Sequence, residues 1–218
     1  MDFADRIDAA RQLAAALGGY RGSNPLVLAI PRGAVPMGAE LARRLGGDLD
    51  VVLVRKLRAP GNPELAVGAV DETGWTYVAD HAREVGATEA YLESERDEQR
   101  RLLAQRRMRY TPGRDSRDPA GRTVIVVDDG LATGATMIAA LHSVRARGPA
   151  RLVCAVPVAA PESAARVSSY ADEFVCLAQP PQFHAVGQFY RDFPQVDDRE
   201  VEEILEAAAH RDRQREGA

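Results

Sequence analysis

The sequence predicts an α/β fold: a doubly wound parallel sheet with helices on both faces. Three observations predict it. Short runs rich in Val, Ile and Leu, at residues 26–30, 124–127 and 152–158, show no polar alternation, as strands buried on both faces of a parallel sheet require. Helical stretches separate these runs, the alternation that builds parallel βαβ units. Two of the runs end in charged, glycine-bearing turns that lead into helices, and ligands bind at such carboxyl ends of strands in open α/β sheets. To this core the chain adds a flexible loop with a hairpin, a long mid-chain helix insertion and a small aromatic-rich C-terminal section. The 218 residues read as a single domain, with the core over about residues 20–178 and the C-terminal section over about 179–211.

Phe3, Ile7, Ala10, Ala14 and Leu17 recur at steps of four and three, one face of a helix that Gly18-Gly19 ends. This helix is expected to pack on the sheet and carry no chemistry. Residues 26–30 form the first core strand and run into Pro31-Arg32-Gly33-Ala34, and a helix follows from Val35-Pro36 to Leu45. A basic residue and a glycine at a helix start suit an anion; a plain β-to-α turn has the same composition. Residues 49–54 read as the second strand, ending in Arg55-Lys56, a pair that is either solvated or aimed at a ligand. Residues 57–64, with Pro60, Gly61, Asn62 and Pro63, read as a loop whose one acid is Glu64. Residues 65–70 and 75–78, joined by Asp71-Glu72-Thr73-Gly74, read as a hairpin.

Residues 80–110 are mostly helical, broken near Gly86, with Thr88 as the N-cap of the second part. Opposite charges four apart, such as Asp97 and Arg101, point to an exposed helix. Its far end is basic, but few aromatics accompany the charge, so a solvated face suits it better than an RNA-binding one. Residues 111–120, with Pro112, Gly113 and Pro119, lead back to the core.

The stretch that organises the rest is 122–136. Apolar residues 124–127 stop at Asp128-Asp129; Gly130-Leu131-Ala132 follow, then Thr133-Gly134-Ala135-Thr136 and an amphipathic helix over 137–147. Amides of residues 132–136 at a helix start would form a phosphate cradle. Gly134 lets the backbone approach closely, and the Thr133 and Thr136 hydroxyls are further donors. Adjacent carboxylates would repel a phosphate, so they suit another part of the ligand, such as a sugar diol or hydrated Mg²⁺. Beyond lie a strand at 152–158, a helix from Pro161 to Tyr170 with proline in its first turn, and a last strand at 172–177. Residues 180–193 concentrate aromatics in a loop. Phe183 or Tyr190 there could stack on a flat ring or seal the core edge, and His184 reads as structural. Asp197 would N-cap a closing helix over 201–209, with a frayed polar tail from His210.

The pattern at 124–136, an apolar strand, Asp-Asp, three residues and Thr-Gly-x-Thr, resembles the phosphoribosyl-pyrophosphate (PRPP) signature of type I phosphoribosyltransferases. The resemblance implies that family's fold. It implies that Asp128 and Asp129 hold the ribose 2′- and 3′-hydroxyls and that the loop Gly130, Leu131, Ala132, Thr133, Gly134, Ala135 and Thr136 holds the 5′-phosphate. It makes Arg32, Gly33 and Ala34 the pyrophosphate loop, with a non-proline cis peptide joining Pro31 to Arg32. Arg55 or, preferred, Lys56 would reach the pyrophosphate. The loop at 57–64 would close over the site and expel water. Some members carry an acid where this chain has Ala132, so a base must come from elsewhere, and Glu64 is the candidate; Arg32, Lys56 and Glu64 are then the expected catalytic residues. Residues 179–211 would form a hood over the acceptor, with Phe183 or Tyr190 against it. The implied reaction is transfer of 5-phosphoribose from PRPP to a nucleobase or similar nucleophile. Mg²⁺ is the implied cofactor, met by Asp128 and Asp129 only through PRPP or water. Family members are often homodimers. A PRPP-sensing regulator and a hydrolase of phosphoribosyl compounds remain alternative readings.

Composition excludes other classes. A net charge of −4 gives no push toward nucleic acid or anionic membrane. No apolar run is long enough to span a bilayer, and the acidic N-terminus has no signal core, so a cytoplasmic location is expected. Cys154 and Cys176, the two cysteines, sit in apolar runs and read as buried free thiols.

Overall fold

A strand covered on both faces must bury every side chain, alternate ones into opposite layers. The computed structural model of the chain, which describes residues 2–216 apart from the side chains of Glu64, Arg215 and Glu216, shows this pattern. Helix α1 (Arg6–Ala16) precedes β1 (Leu26–Ala29), α2 (Val35–Leu45) and β2 (Asp48–Val51). Then come β3 (Val54–Ala59), β4 (Asn62–Asp71), β5 (Thr76–Val78) and the long α3 (Glu89–Tyr110). The chain continues with β6 (Thr123–Val127), α4 (Ala135–Ala146), β7 (Arg151–Val158), α5 (Pro161–Ser168), β8 (Glu173–Ala178) and α6 (Asp198–Glu216). Five strands form a parallel sheet in the order β2-β1-β6-β7-β8. Val27, Ala29, Ile125, Val127, Val153 and Ala155 enter the layer shared with α1 and α2. Their neighbours Leu26, Leu28, Val124, Val126, Leu152 and Cys154 enter the layer shared with α4 and α5.

This order fixes where a ligand can bind. From β1 the chain winds through α2 to β2 on one side; from β6 it winds through α4 and α5 to β7 and β8 on the other. Strands β1 and β6 are neighbours, ending level at Ala29 and Val127. The crevice beyond their carboxyl ends is the topological switch point.

The second strand is shorter than expected. It ends at Val51, and Val54 opens the antiparallel ribbon β3-β4-β5. An unbroken apolar run at 51–54 carries no signal of where the chain changes sheets. Arg55 and Lys56 therefore lie within the ribbon. Residues 57–64 are likewise no open loop: β3 and β4 meet through a tight turn at Pro60-Gly61, with Gly61 at φ +71°. The register moves from Ala59–Asn62 to Arg58–Ala66, so Pro63 falls in a bulge where no ladder donor is required. The expected hairpin is β4 with β5.

Helix α3 starts where predicted: the Thr88 hydroxyl accepts from the Tyr91 amide at 3.3 Å, after Gly86 at φ +82°. It is not simply a solvated helix. It buries Leu92, Leu103 and Tyr110, and with them Glu95, Gln99 and Arg107. The Asp97–Arg101 ion pair does not form: Arg101 Nε donates to the Asp97 carbonyl, and the Asp97 carboxylate meets Arg96. Arg107 joins α3 to the sheet. It donates to Asp50 at 2.7 Å, to both oxygens of Glu72 at 2.6 and 2.5 Å, and to the Val51 carbonyl at 2.9 Å.

Asp197 caps α6, its Oδ1 accepting from the Glu200 amide at 2.8 Å. The tail beyond His210 stays helical to Glu216, because Asp212 is buried against Arg117. Both cysteines are free, Cys154 buried and Cys176 half-buried. Among the described residues no helix is long and apolar enough to cross a membrane.

Candidate active site

The turn after β6 is shaped by α5. The Ser163 hydroxyl donates to the Ala132 carbonyl at 2.6 Å, and Arg166 donates to the Thr133 carbonyl. In a trans peptide the C=O and the following N–H point opposite ways, so the Thr133 and Gly134 amides face away from α5. Among the described residues no amide of 132–136 donates to a protein acceptor. Gly134 has φ +69°, and a Cβ there would sit 2.7 Å from Val167 Cγ2; conformation and packing both demand glycine. Free amides at the start of the 12-residue α4 have the chemistry to take an anion.

The acid pair lies at the mouth of the same turn. Asp128 Oδ1 accepts from the Asp129 amide at 2.9 Å. Asp129 Oδ2 accepts from Arg6 Nε at 3.0 Å and Nη2 at 2.9 Å. Among the described residues Asp128 Oδ2 and Asp129 Oδ1 accept nothing. Burial, then the charge of Asp129, pushes the Asp128 carboxyl well above the usual range. Burial also raises Asp129, against the opposing pull of Arg6. One guanidinium thus offsets two desolvated carboxylates only in part.

The turn after β1 meets this pair. A Cβ on Gly33 would lie 2.2 Å from Asp129 Oδ2, so any side chain there would have to displace that carboxylate. The Pro31–Arg32 peptide is cis, as the resemblance implied. Arg32 Nη1 lies 3.8 Å from Asp198 Oδ2, at the start of α6. Tyr110 also donates to Asp198 at 2.6 Å, and burial followed by this bond pushes the phenol up to about 12. A cavity of about 380 Å³ opens between the turns, lined by Arg6, Arg32, Gly33, Asp129 and residues 193–196.

The other expected residues lie differently. Lys56, the chain's single lysine, is exposed on β3 and pairs with none of Arg32, Asp128 or Asp129. Arg55 donates to Gln99 on α3. The Glu64 side chain lies outside the described residues. Phe183 is half-buried against Phe189, ring centroids 5.2 Å apart. Tyr190 is not a free stacking face. Its ring is buried between Phe3 and Phe193, at 5.4 and 4.7 Å, and its hydroxyl donates to the Asp129 carbonyl at 2.6 Å. It braces the acid pair from behind.

Sequence reasoning missed Arg6, assigning α1 no chemistry. The signal was present: Arg6 lies three residues after Phe3 and four before Ala10, a charge on the apolar stripe itself. Such a residue needs a buried partner.

A doubly wound parallel sheet with an amide cradle, an acid pair and a basic turn at its switch point defines the type I phosphoribosyltransferase fold. The phosphoribosyl transferase domain family matches residues 3–194, and the chain belongs to that family. Two Mycobacterium tuberculosis proteins, from strains CDC 1551 / Oshkosh and H37Rv, each named "Putative phosphoribosyl transferase", are 45% identical over 217 residues. The match covers 99% of this chain and 49% of theirs, so the chain spans about half the length of these curated relatives. The crystal structure of TT1426 from Thermus thermophilus superposes with a TM-score of 0.85 at 50% identity, covering 94% of this chain and 98% of that one.

Proposed function

We propose that the chain transfers the 5-phosphoribosyl group of PRPP to a nitrogen nucleophile, a nucleobase or similar ring, and releases pyrophosphate. The observation that carries this reading is the meeting of the two turns across the switch point. The amides of 132–136 would take the 5′-phosphate, and the free oxygens of Asp128 and Asp129 the ribose diol. Arg32 and the Gly33 turn would then face the pyrophosphate.

In the reaction the acceptor nitrogen bonds to ribose C1 as the C1–O bond to pyrophosphate breaks, its electron pair leaving with the pyrophosphate. The acceptor's proton goes to a base; Ala132 supplies none, and Glu64 is the proposed candidate. Fixed amides and Arg32 supply charge stabilisation without reorganisation. Lys56, on the ribbon, is proposed to reach the leaving group when PRPP is bound.

The acid pair fits a divalent cation brought by the substrate, since two carboxylates face one guanidinium. Among the described residues no group of three or more acids, histidines or cysteines could hold a metal alone, and Mg²⁺ would meet Asp128 and Asp129 only through PRPP or water. When bound it neutralises developing charge on pyrophosphate.

The test is pyrophosphate release from Mg²⁺-PRPP with a panel of nucleobases, beside a binding titration. Release that requires one base supports transfer. Release with no base added points to hydrolysis, and tight binding without release to a sensor. No binding at millimolar PRPP would withdraw the reading.

A further inference from the structure

We propose that Arg6 is a positioning residue of the ribose site, fixing the Asp129 carboxylate so that Oδ1 is presented to the sugar while the guanidinium ties that carboxylate to the hood. The inference rests on the function proposed above and adds a residue from an element that carries none of the family motif.

Every arm of this guanidinium is used. Nε and Nη2 both donate to Asp129 Oδ2, and Nη1 donates to the Pro194 carbonyl at 2.6 Å. Its face lies 3.7 Å from the centroid of the Phe193 ring. An arginine seeking only an ion pair would take both carboxylate oxygens in a fork. This one takes a single oxygen with two arms and leaves the other free. Oδ2 is then pinned between Arg6 and Gly33, whose missing side chain makes the room, so the direction of Oδ1 is set before any ligand arrives.

The same contacts seat the N-terminus in the hood. The Phe3 amide donates to the Phe189 carbonyl at 2.8 Å, and the Arg191 amide to the Phe3 carbonyl at 2.9 Å. Tyr190, bonded to the Asp129 carbonyl, packs against Phe3 with its ring tilted. Side chain and backbone of Asp129 are thus held by one assembly of α1 and residues 189–194. Lysine cannot replace Arg6: a point charge cannot make the two-armed contact, the carbonyl bond and the ring stack together.

The experiment is a double-mutant cycle on Mg²⁺-PRPP affinity with Arg6→Met, Asp129→Asn and the double variant, read beside unfolding in urea; Arg6→Lys is the milder probe. Expected are a 10- to 100-fold weaker Kd for Arg6→Met, of the order of one charge-assisted hydrogen bond, and a double variant no weaker than the worse single one. Arg6→Lys should raise the KM for PRPP about 5-fold or more with little change in kcat. A residue that only props up the fold would leave Kd within twofold, or add its loss in full to that of Asp129→Asn; either overturns the inference and leaves the proposed function standing, while the urea melts check that the variants are folded at the titration temperature. Should Arg6→Met not fold, the KM and kcat of Arg6→Lys decide alone: both unchanged would overturn it. Wild-type protein that binds no PRPP would bring down both readings.

Discussion

Two clusters in this molecule set one guanidinium near two carboxylates, Arg107 bonding both and Arg6 bonding one, and they are finished differently. Around Arg107, all four carboxylate oxygens have donors. Asp50 takes Arg107 Nη1 and the Val51 amide on Oδ1 and the Arg117 amide on Oδ2. Glu72 takes Nε and Nη2, one on each oxygen. Around Arg6, one oxygen of Asp128 and one of Asp129 have none among the described residues. Those two oxygens are not fully buried, so water or a ligand can meet them. A cluster that stops short keeps capacity for something the chain does not supply. The first cluster holds α3 and the ribbon to the sheet; the second lies at the switch point. Open acceptor capacity, more than charge, distinguishes the second cluster from the first.

The largest effect should come from breaking the finished cluster. Arg107→Met leaves Asp50 and Glu72 desolvated without their cation. Unpairing a buried charge costs about 3–5 kcal/mol, and the urea-unfolding free energy should fall by about that amount. A loss below about 1 kcal/mol would mean that solvent reaches the cluster and that the contrast drawn here is wrong.

At the site the same kind of surgery should act on ligand and stability in opposite directions. Asp128→Asn, which leaves the Arg6–Asp129 pair intact, removes a charge PRPP's diol would meet, at about 10- to 100-fold in affinity. Stability should hold or rise, by about 0.5–2 kcal/mol at neutral pH, as is usual when a functional site is relaxed. Calorimetric titration and urea melts on one preparation would read both. A variant destabilised like Arg107→Met would place Asp128 with the first cluster.

Gly33→Ala sharpens the contrast, because it touches the site without changing charge. Its Cβ would drive into Asp129 Oδ2. Overpacking of this kind costs about 1–3 kcal/mol. PRPP affinity should fall with it as the carboxylate turns. Wild-type affinity in Gly33→Ala would show that the pinned orientation of Asp129 is of no consequence.

The contrast also explains which parts could be read from the sequence. The five-stranded sheet was legible because unbroken apolar runs and turn chemistry are local, and so were the two turns that meet at its switch point. Arg6 was legible only in part: its place on the apolar stripe of the first helix calls for a buried partner, but that partner, Asp129, lies 123 positions away. Glu95, Gln99 and Arg107 looked solvated because hydrophobic patterning is blind to a polar face buried by ion pairs. The tail of α6 looked frayed for the same reason: its anchor, Arg117, comes from a distant connection. The start of β3 was hidden inside an apolar run that serves two sheets.

The smallest expected effect lies in a cluster of a third kind, on α2. Glu40 accepts from Arg43 at 2.9 Å and from Arg44 at 2.6 Å, arginines more open to solvent than Arg6 or Arg107. The hydrogen bond from Arg43, against the cost of burial and with help from Arg44, holds the Glu40 carboxyl down at about 2. Its folded value thus lies below the usual unfolded one of about 4.3, so the stabilisation is complete above that value and drains away as pH falls toward about 2. Solvent screens the arginines, so the cluster should contribute about 1 kcal/mol or less. Glu40→Gln should therefore unfold slightly more easily than wild type at pH 7, with the gap roughly halved by pH 3 and mostly gone near pH 2. A gap as wide at pH 3 as at pH 7 would show that Glu40 acts through packing. Its carboxylate would then contribute no more to the fold than the unpaired oxygens at the switch point.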